Sequence, residues 1–359
     1  MLDLTPRSIS AVIPTYNRGG RIGAAVESAL AQRRPVDEVI VVDDGSTDET
    51  PAALARFGDA IRVIRQDNAG VSAARRAGLR AARSRWVACL DSDDVWRPDA
   101  IARHVAALDD AGAETKVEVV FGNVVARTDA GLTEDLMRTQ GFEAPTPRIV
   151  EDAVACCHPV MLPMLQSSLV DREAALATGA FEEDLRASED FLLFVRLALR
   201  GPFLAHDAVV AEIARTEDLR ASSLSRQAGA PRDDDARARM IAFREIAAVR
   251  PGAPWRRLHA EHVRAWRLSG ARPRGFRLSM EQLRAEPSAR SALFVMCMLG
   301  GRAGERLWRE LRGAARGGAS ASRGPRRPFH DRIVGSDESR APEASMVDRP
   351  RPELVERRS

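Results

Sequence analysis

The sequence predicts an α/β protein built on a doubly wound sheet, and two observations carry that prediction. Short aliphatic runs recur through the first 121 residues, and helical patterns of 10–15 residues separate them. Runs of continuous Val and Ile, without alternation, belong to strands covered on both faces, and helices between successive strands make those strands parallel. With 359 residues and 45% apolar content, the chain has enough material for a large core.

In chain order, Ile9–Ile13 reads as a strand, and Gly19–Gln32 as a helix with Ile22, Val26, Ala29 and Leu30 on one face. Val39–Val42 is a second strand. Asp48–Phe57 is a helix, with Asp48 as its N-cap and Pro51 in its first turn. Ile61–Ile64 is a strand, Val71–Arg83 a helix and Trp86–Leu90 a fourth strand; helix Pro98–Ala111 and strand Val117–Phe121 come next. From Asn123 to Gln166 glycines and prolines punctuate the chain, which reads as loops and short helices. Glu173–Thr178 and Glu189–Arg200 are helices stopped by Gly179 and Gly201, and Val209–Ile213 is a further strand.

Charge divides the chain into three parts. Residues 1–231 hold 26 basic and 35 acidic side chains, residues 232–312 hold 18 and 9, and residues 313–359 hold 10 and 7. An acidic α/β domain over 1–231 is thus followed by a basic subdomain over 232–312. There Trp255, Leu258, His262 and Trp266, then Leu293, Met296 and Leu299, recur at helical spacing. Residues 313–359, rich in Gly, Ala, Ser, Pro and Arg, have the composition of a disordered tail.

Several classes are excluded. Lys116 is the only lysine and follows a threonine, so the glycine-lysine pair of a phosphate-binding P-loop is missing. Four cysteines without CxxC spacing fit a reducing cytoplasm, and the adjacent Cys156-Cys157-His158 reach a single tetrahedral metal site poorly. Met1–Ser8 has no apolar secretion signal. The apolar run Ala292–Leu299 covers roughly 12 Å as a helix, against a hydrocarbon core of about 30 Å.

Chemistry is read from acids at strand ends, where open α/β sheets bind ligands. Val39–Val42 runs into Asp43-Asp44-Gly45-Ser46, and Trp86–Leu90 into Asp91-Ser92-Asp93-Asp94. Five carboxylates in one crevice repel, and a divalent cation is the economical counter-charge; oxygen ligands favour Mg²⁺ or Mn²⁺. In an extended segment Asp91 and Asp93 face the same side. A third pair, Glu189-Asp190, opens a helix, where acids also complement the dipole.

Together these strings resemble family 2 glycosyltransferases of the GT-A fold. The resemblance runs through Val12-Ile13-Pro14-Thr15-Tyr16-Asn17-Arg18, Val41-Val42-Asp43-Asp44-Gly45-Ser46-Thr47-Asp48, Asn68-Ala69-Gly70 with Ala74-Arg75, Leu90-Asp91-Ser92-Asp93-Asp94 and Ser188-Glu189-Asp190-Phe191, over residues 8–226. It implies an inverting transfer of sugar from a nucleotide diphosphate donor, a UDP-sugar by the family's use of Asp44, to a hydroxyl of a glycan or lipid-linked acceptor. Pro14, Tyr16, Asn17, Asp43, Asp44, Asn68, Arg75, Asp91 and Ser92 then serve the nucleotide, and Asp91, Asp93 and Asp94 the Mn²⁺ or Mg²⁺. Asp190 is the general base with Glu189 beside it. The chain departs from the family at Arg76, where relatives have Asn, and at Arg215-Thr216-Glu217, where they have Arg-x-His. The QxxRW motif of processive synthases is absent.

The arginine-rich segment 232–312 suits packing against the acidic domain, or peripheral contact with an anionic membrane on its cytoplasmic face through amphipathic helices bearing Trp255, Trp266 and Trp308. No nucleic-acid motif is present. The alternative to an enzyme is a sugar-nucleotide-binding or scaffold protein that keeps the fold without turnover.

Overall fold

The computed structural model describes residues 5–112, 114–157, 161–182, 185, 187–215 and 231–250. The basic segment 251–312, the tail, His158, Thr216 and Glu217 lie outside the described residues.

The first half alternates as its aliphatic runs require: β1 (Ile9–Thr15), α1 (Ile22–Leu30), β2 (Glu38–Asp43), α2 (Thr50–Ala55), β3 (Arg62–Arg65), α3 (Val71–Ala81) and β4 (Trp86–Cys89). After them come β5 (Val95–Trp96), α4 (Ala100–Asp110), β6 (Val119–Thr128), β7 (Gly131–Asp135), α5 (Leu136–Thr139) and β8 (Arg148–Val150). The last elements are β9 (Ser168–Asp171), α6 (Arg172–Ala177), α7 (Glu189–Ala198), β10 (Phe203–Ala214) and α8 (Pro231–Val249). The N-cap of α2 is Glu49 rather than Asp48, and its side chain makes no cap bond; Asp48, one residue earlier, accepts from the Thr50 N–H through Oδ1 at 2.9 Å and from the Gly19 N–H through Oδ2 at 3.1 Å.

Among the described residues the strands form one sheet, in the order β3-β2-β1-β4-β9-β6-β10-β5, with β7 on β6 and β8 on β10. Strands β1 to β4 are parallel, as their sequence implies. The other half is mixed: β9 runs antiparallel between β4 and β6, and β10 is parallel to β6. Strand β9 leaves little trace in the sequence because its four residues, Ser168-Leu169-Val170-Asp171, hold only two apolar side chains. The region after Asn123 is also more regular than its punctuation suggests: β6 continues to Thr128 and folds back through β7.

Side chains of each central strand divide between two cores. Val12, Ile40, Val42 and Val87 face α3, α6, α7 and α8; Ile13, Val41, Ala88 and Leu90 face α1, α2 and α4. This two-sided burial is the physical source of the unbroken Val and Ile runs. Helix α3 lies so close to β1 that a Cβ at Gly78 would collide with Val12. The expected boundary at residues 231–232 falls at the start of α8, whose Ala238, Ala242, Phe243 and Ile246 join the same core as α7.

Strand β1 has β2 on one side and β4 on the other, so the order reverses at β1. A crevice opens beyond the carboxyl ends of strands at such a reversal. The carboxyl ends of β1, β2 and β4 and the loops that follow them carry Pro14–Asn17, Asp43–Ser46 and Asp91–Asp94 to that edge.

Candidate active site

The loops after β1 and β2 are stitched together. Asn17 adopts φ +52°, its N–H donates to Ser46 Oγ at 2.9 Å, and its Oδ1 accepts from the Thr47 N–H at 2.8 Å. Asp43 is buried; its Oδ1 accepts from the Ser46 N–H at 2.9 Å, and its Oδ2 lies 3.6 Å from Arg65. Gly45, at φ +79° and tight against Asn68, gives the turn a backbone that a side chain would strain. Asp44, also buried, grips the next loop: it accepts from Gln66 Nε2 at 2.7 Å and from the N–H groups of Ala69 at 3.0 Å and Gly70 at 2.8 Å. Tyr16 and Asn68 are exposed beside this braced turn.

The second half of the site is built around Arg75. This residue lies on α3, only 6% exposed, and one terminal nitrogen donates to Asp91 Oδ1 at 2.5 Å. The other donates to Glu189 Oε1 on α7. The guanidinium stands 5.9 Å from the Phe181 ring centre, and its Nε is buried without a partner. Burial opposes its charge, but Asp91, Glu189 and Asp190 more than reverse that, so Arg75 stays protonated. Asp91 is fully engaged, its Oδ2 accepting from Gln166 Nε2 at 2.5 Å.

The remaining acids are held in their neutral direction. Burial raises Glu189, Arg75 opposing and Asp190 adding to the rise. Burial also raises Asp190, again against Arg75; its Oδ1 accepts from the Phe191 N–H at 2.7 Å. Burial, then Asp91, raises Asp93, with Arg18 and Arg215 opposing. Asp94 rises through burial and its neighbours Asp91 and Asp93, while its Oδ1 accepts from the Ala214 N–H at 2.7 Å and so ties β10 to this loop. Ser92 is buried between them.

The five strand-end carboxylates therefore do not pool their charge. Asp43 and Asp44 are satisfied within the β1–β2 side, and neither is among the charges that raise Asp93 or Asp94. The counter-charge that a chain with one lysine would leave to a metal is partly supplied by Arg75. Among the described residues no three His, Cys, Asp or Glu side chains form a ligating group. Yet the donors fit a hard cation: Asp93 and one oxygen of Asp94 are carboxylate oxygens with no cation in contact among the described residues, Asp93 raised by burial and Asp91, and Asp94 by burial, Asp91 and Asp93. Gln66 and Gln166, which fix Asp44 and Asp91, carry no sequence signal. Cys156 and Cys157 are free and buried in the core.

Residues 10–171 match the family model described as glycosyl transferase family 2. Over this segment, a little under half of the chain, the sequence is similar to family 2 glycosyltransferases. The chain is 46% identical over 119 residues to the succinoglycan biosynthesis protein ExoO of Rhizobium meliloti, covering 33% of this chain and 34% of that protein. It is 34% identical over 151 residues to an uncharacterized glycosyltransferase of Nostoc, covering 40% and 43%. The chain thus spans well under half the length of these curated relatives. It also shares the fold of S. aureus TarS, with TM-score 0.58 at 17% identity over 83% of this chain and 53% of that one. A TarS 1–349 structure in complex with UDP-GlcNAc gives TM-score 0.55 at 18% identity, covering 82% and 80%. The GT-A architecture expected of the motifs is the one observed. Among the described residues, no helix is long and apolar enough to cross a membrane.

Proposed function

We propose that the chain is an inverting glycosyltransferase that moves a sugar from a UDP-sugar to a hydroxyl of a saccharide or lipid-linked acceptor in polysaccharide assembly. The observation that supports it most is the Arg75 bridge, which puts the acid-opened helix α7 against the strand-end acids. The nucleotide is assigned to the braced turn, with Tyr16 and Asn68 exposed beside it and Asp43, Asp44 and Asn17 holding its shape. A UDP-sugar is the first choice because TarS is solved with UDP-GlcNAc.

Asp190 is assigned the proton of the acceptor hydroxyl. Its carboxyl is raised by burial, with Arg75 opposing, which makes it a stronger base than an exposed aspartate. Glu189 holds Arg75 and fixes where α7 starts. Asp93, with Asp94 beside it, is the place for Mn²⁺ or Mg²⁺, whose chemistry there is to neutralise the departing diphosphate.

A lipid-linked acceptor places the enzyme on the cytoplasmic membrane face, with residues 232–312 as its anionic-lipid contact. Cosedimentation of the full chain with phosphatidylglycerol vesicles, lost above about 0.5 M salt through the screening expected of exposed charges, tests this. The function itself is tested by isothermal titration of UDP-sugars with Mn²⁺, then by nucleoside diphosphate release on an acceptor panel. Binding without release across that panel favours the non-catalytic alternative.

A further inference from the structure

Helix α8 lies beyond the family-matched segment, yet it touches the start of α7, where Glu189 and Asp190 sit. Ser188, the residue before this pair, has φ +60° and ψ +21°, the left-handed region that a residue bearing a Cβ enters at a cost. Its hydroxyl donates to Asp235 Oδ1 at 2.7 Å. Asp235 is in turn gripped by Arg239 Nε, 3.0 Å from each carboxylate oxygen, and the Arg239 guanidinium stacks over Phe191 at 4.6 Å. Further along, Arg196 of α7 bonds Glu245 of α8 at 3.0–3.1 Å. The contacts advance together along both helices, so α8 runs beside α7 in the same direction.

A backbone in this region needs something to hold it, and the ordinary N-cap bond is missing: the Ser188 side chain does not cap α7. We infer that Asp235, braced by Arg239, is a positioning residue that locks Ser188 in its left-handed conformation and so sets the direction in which Glu189 and Asp190 leave the helix. The catalytic unit of this chain thereby extends through α8. Asp235 touches neither substrate nor reacting atoms, and the inference rests on the glycosyl-transfer reading only for its effect on turnover.

The test compares full-length Ser188→Ala and Asp235→Ala with the unaltered chain. Amide hydrogen exchange over residues 187–193 reads the lock itself, and UDP release from UDP-GlcNAc with Mn²⁺ reads its effect. Both variants are expected to exchange faster there, and kcat to fall by about tenfold, the size of one charge-assisted hydrogen bond. The donor KM stays unchanged and the pH midpoint of kcat moves, which general loosening of the fold would not produce. Asp235→Asn, which keeps an oxygen for the Ser188 hydroxyl, restores most of kcat. Unchanged exchange in both alanine variants overturns the inference, as does a parallel change of kcat and KM with no pH displacement. An unaltered chain that releases no UDP from any donor sinks the glycosyl-transfer reading instead, and exchange then decides the lock alone.

Discussion

Arg75 and Glu189, 114 residues apart in sequence, form a buried ion pair, and the same guanidinium holds Asp91 at 2.5 Å. One side chain thus joins the end of β4 to the start of α7. Removing one partner of a buried pair costs about 3–5 kcal/mol, because the acids left behind keep their desolvation and lose their cation. Arg75→Met is therefore expected to lower the urea midpoint of unfolding markedly. Arg75→Lys recovers only part, since an ammonium cannot span two carboxylates as a guanidinium fork does. An unchanged midpoint in Arg75→Met contradicts the bridge.

Asp190→Asn removes the proton acceptor and keeps its shape. Turnover is expected to fall by about 10²–10⁴-fold, the usual contribution of a general base, while calorimetry with UDP-GlcNAc and Mn²⁺ gives the same dissociation constant. Equal losses of binding and turnover would assign Asp190 to the donor instead.

Asp93→Ala separates metal from structure. Among the described residues Asp93 makes no side-chain hydrogen bond beyond its own backbone, and burial and Asp91 press it toward its neutral form. Its loss should leave thermal stability in place, or raise it slightly, and abolish the Mn²⁺ dependence of UDP release. Persistence of that dependence moves the cation elsewhere.

A buried histidine pair gives the fold its own acid sensitivity. His206 Nε2 lies 2.9 Å from His104 Nδ1, one ring donating and the other accepting, so the two cannot both be charged and keep this bond. Burial, with Arg103 adding to it, lowers His206 to about 4, and burial, then His206, lowers His104 well below its ordinary value. Both folded-state values lie below the unfolded value near 6.5, so the unfolded chain binds protons first. Stability is thus complete above about pH 6.5 and falls below it, by about 1.4 kcal/mol per pH unit for each group. Urea unfolding between pH 7 and 4 measures the slope, and His206→Gln should reduce it; an equal slope in the variant refutes the pairing.

How much of the fold and site is legible in the sequence depends on where each signal lives. Val39–Val42 can be read because burial on both faces leaves an unbroken aliphatic run, and Asp91–Asp94 because acids after such a run have few structural reasons to cluster. Strand β9 cannot, since Leu169 and Val170 make too short a run and its place between β4 and β6 is set by pairing partners far along the chain. Arg75 is legible as a motif residue but not as a bridge: in a chain whose basic residues are nearly all arginine, nothing local marks the one that is buried. The Ser188–Asp235 contact joins residues 47 apart and has no sequence pattern at all.

The most direct test of the central claim is release of UDP from UDP-GlcNAc and related donors by the full chain with Mn²⁺ and a panel of saccharide and lipid-linked acceptors, alongside Asp190→Asn. The account predicts acceptor-dependent release by the unaltered chain and its loss in the variant, with donor binding intact in both. Release at the same rate in Asp190→Asn, or donor binding without release on any acceptor, would contradict it.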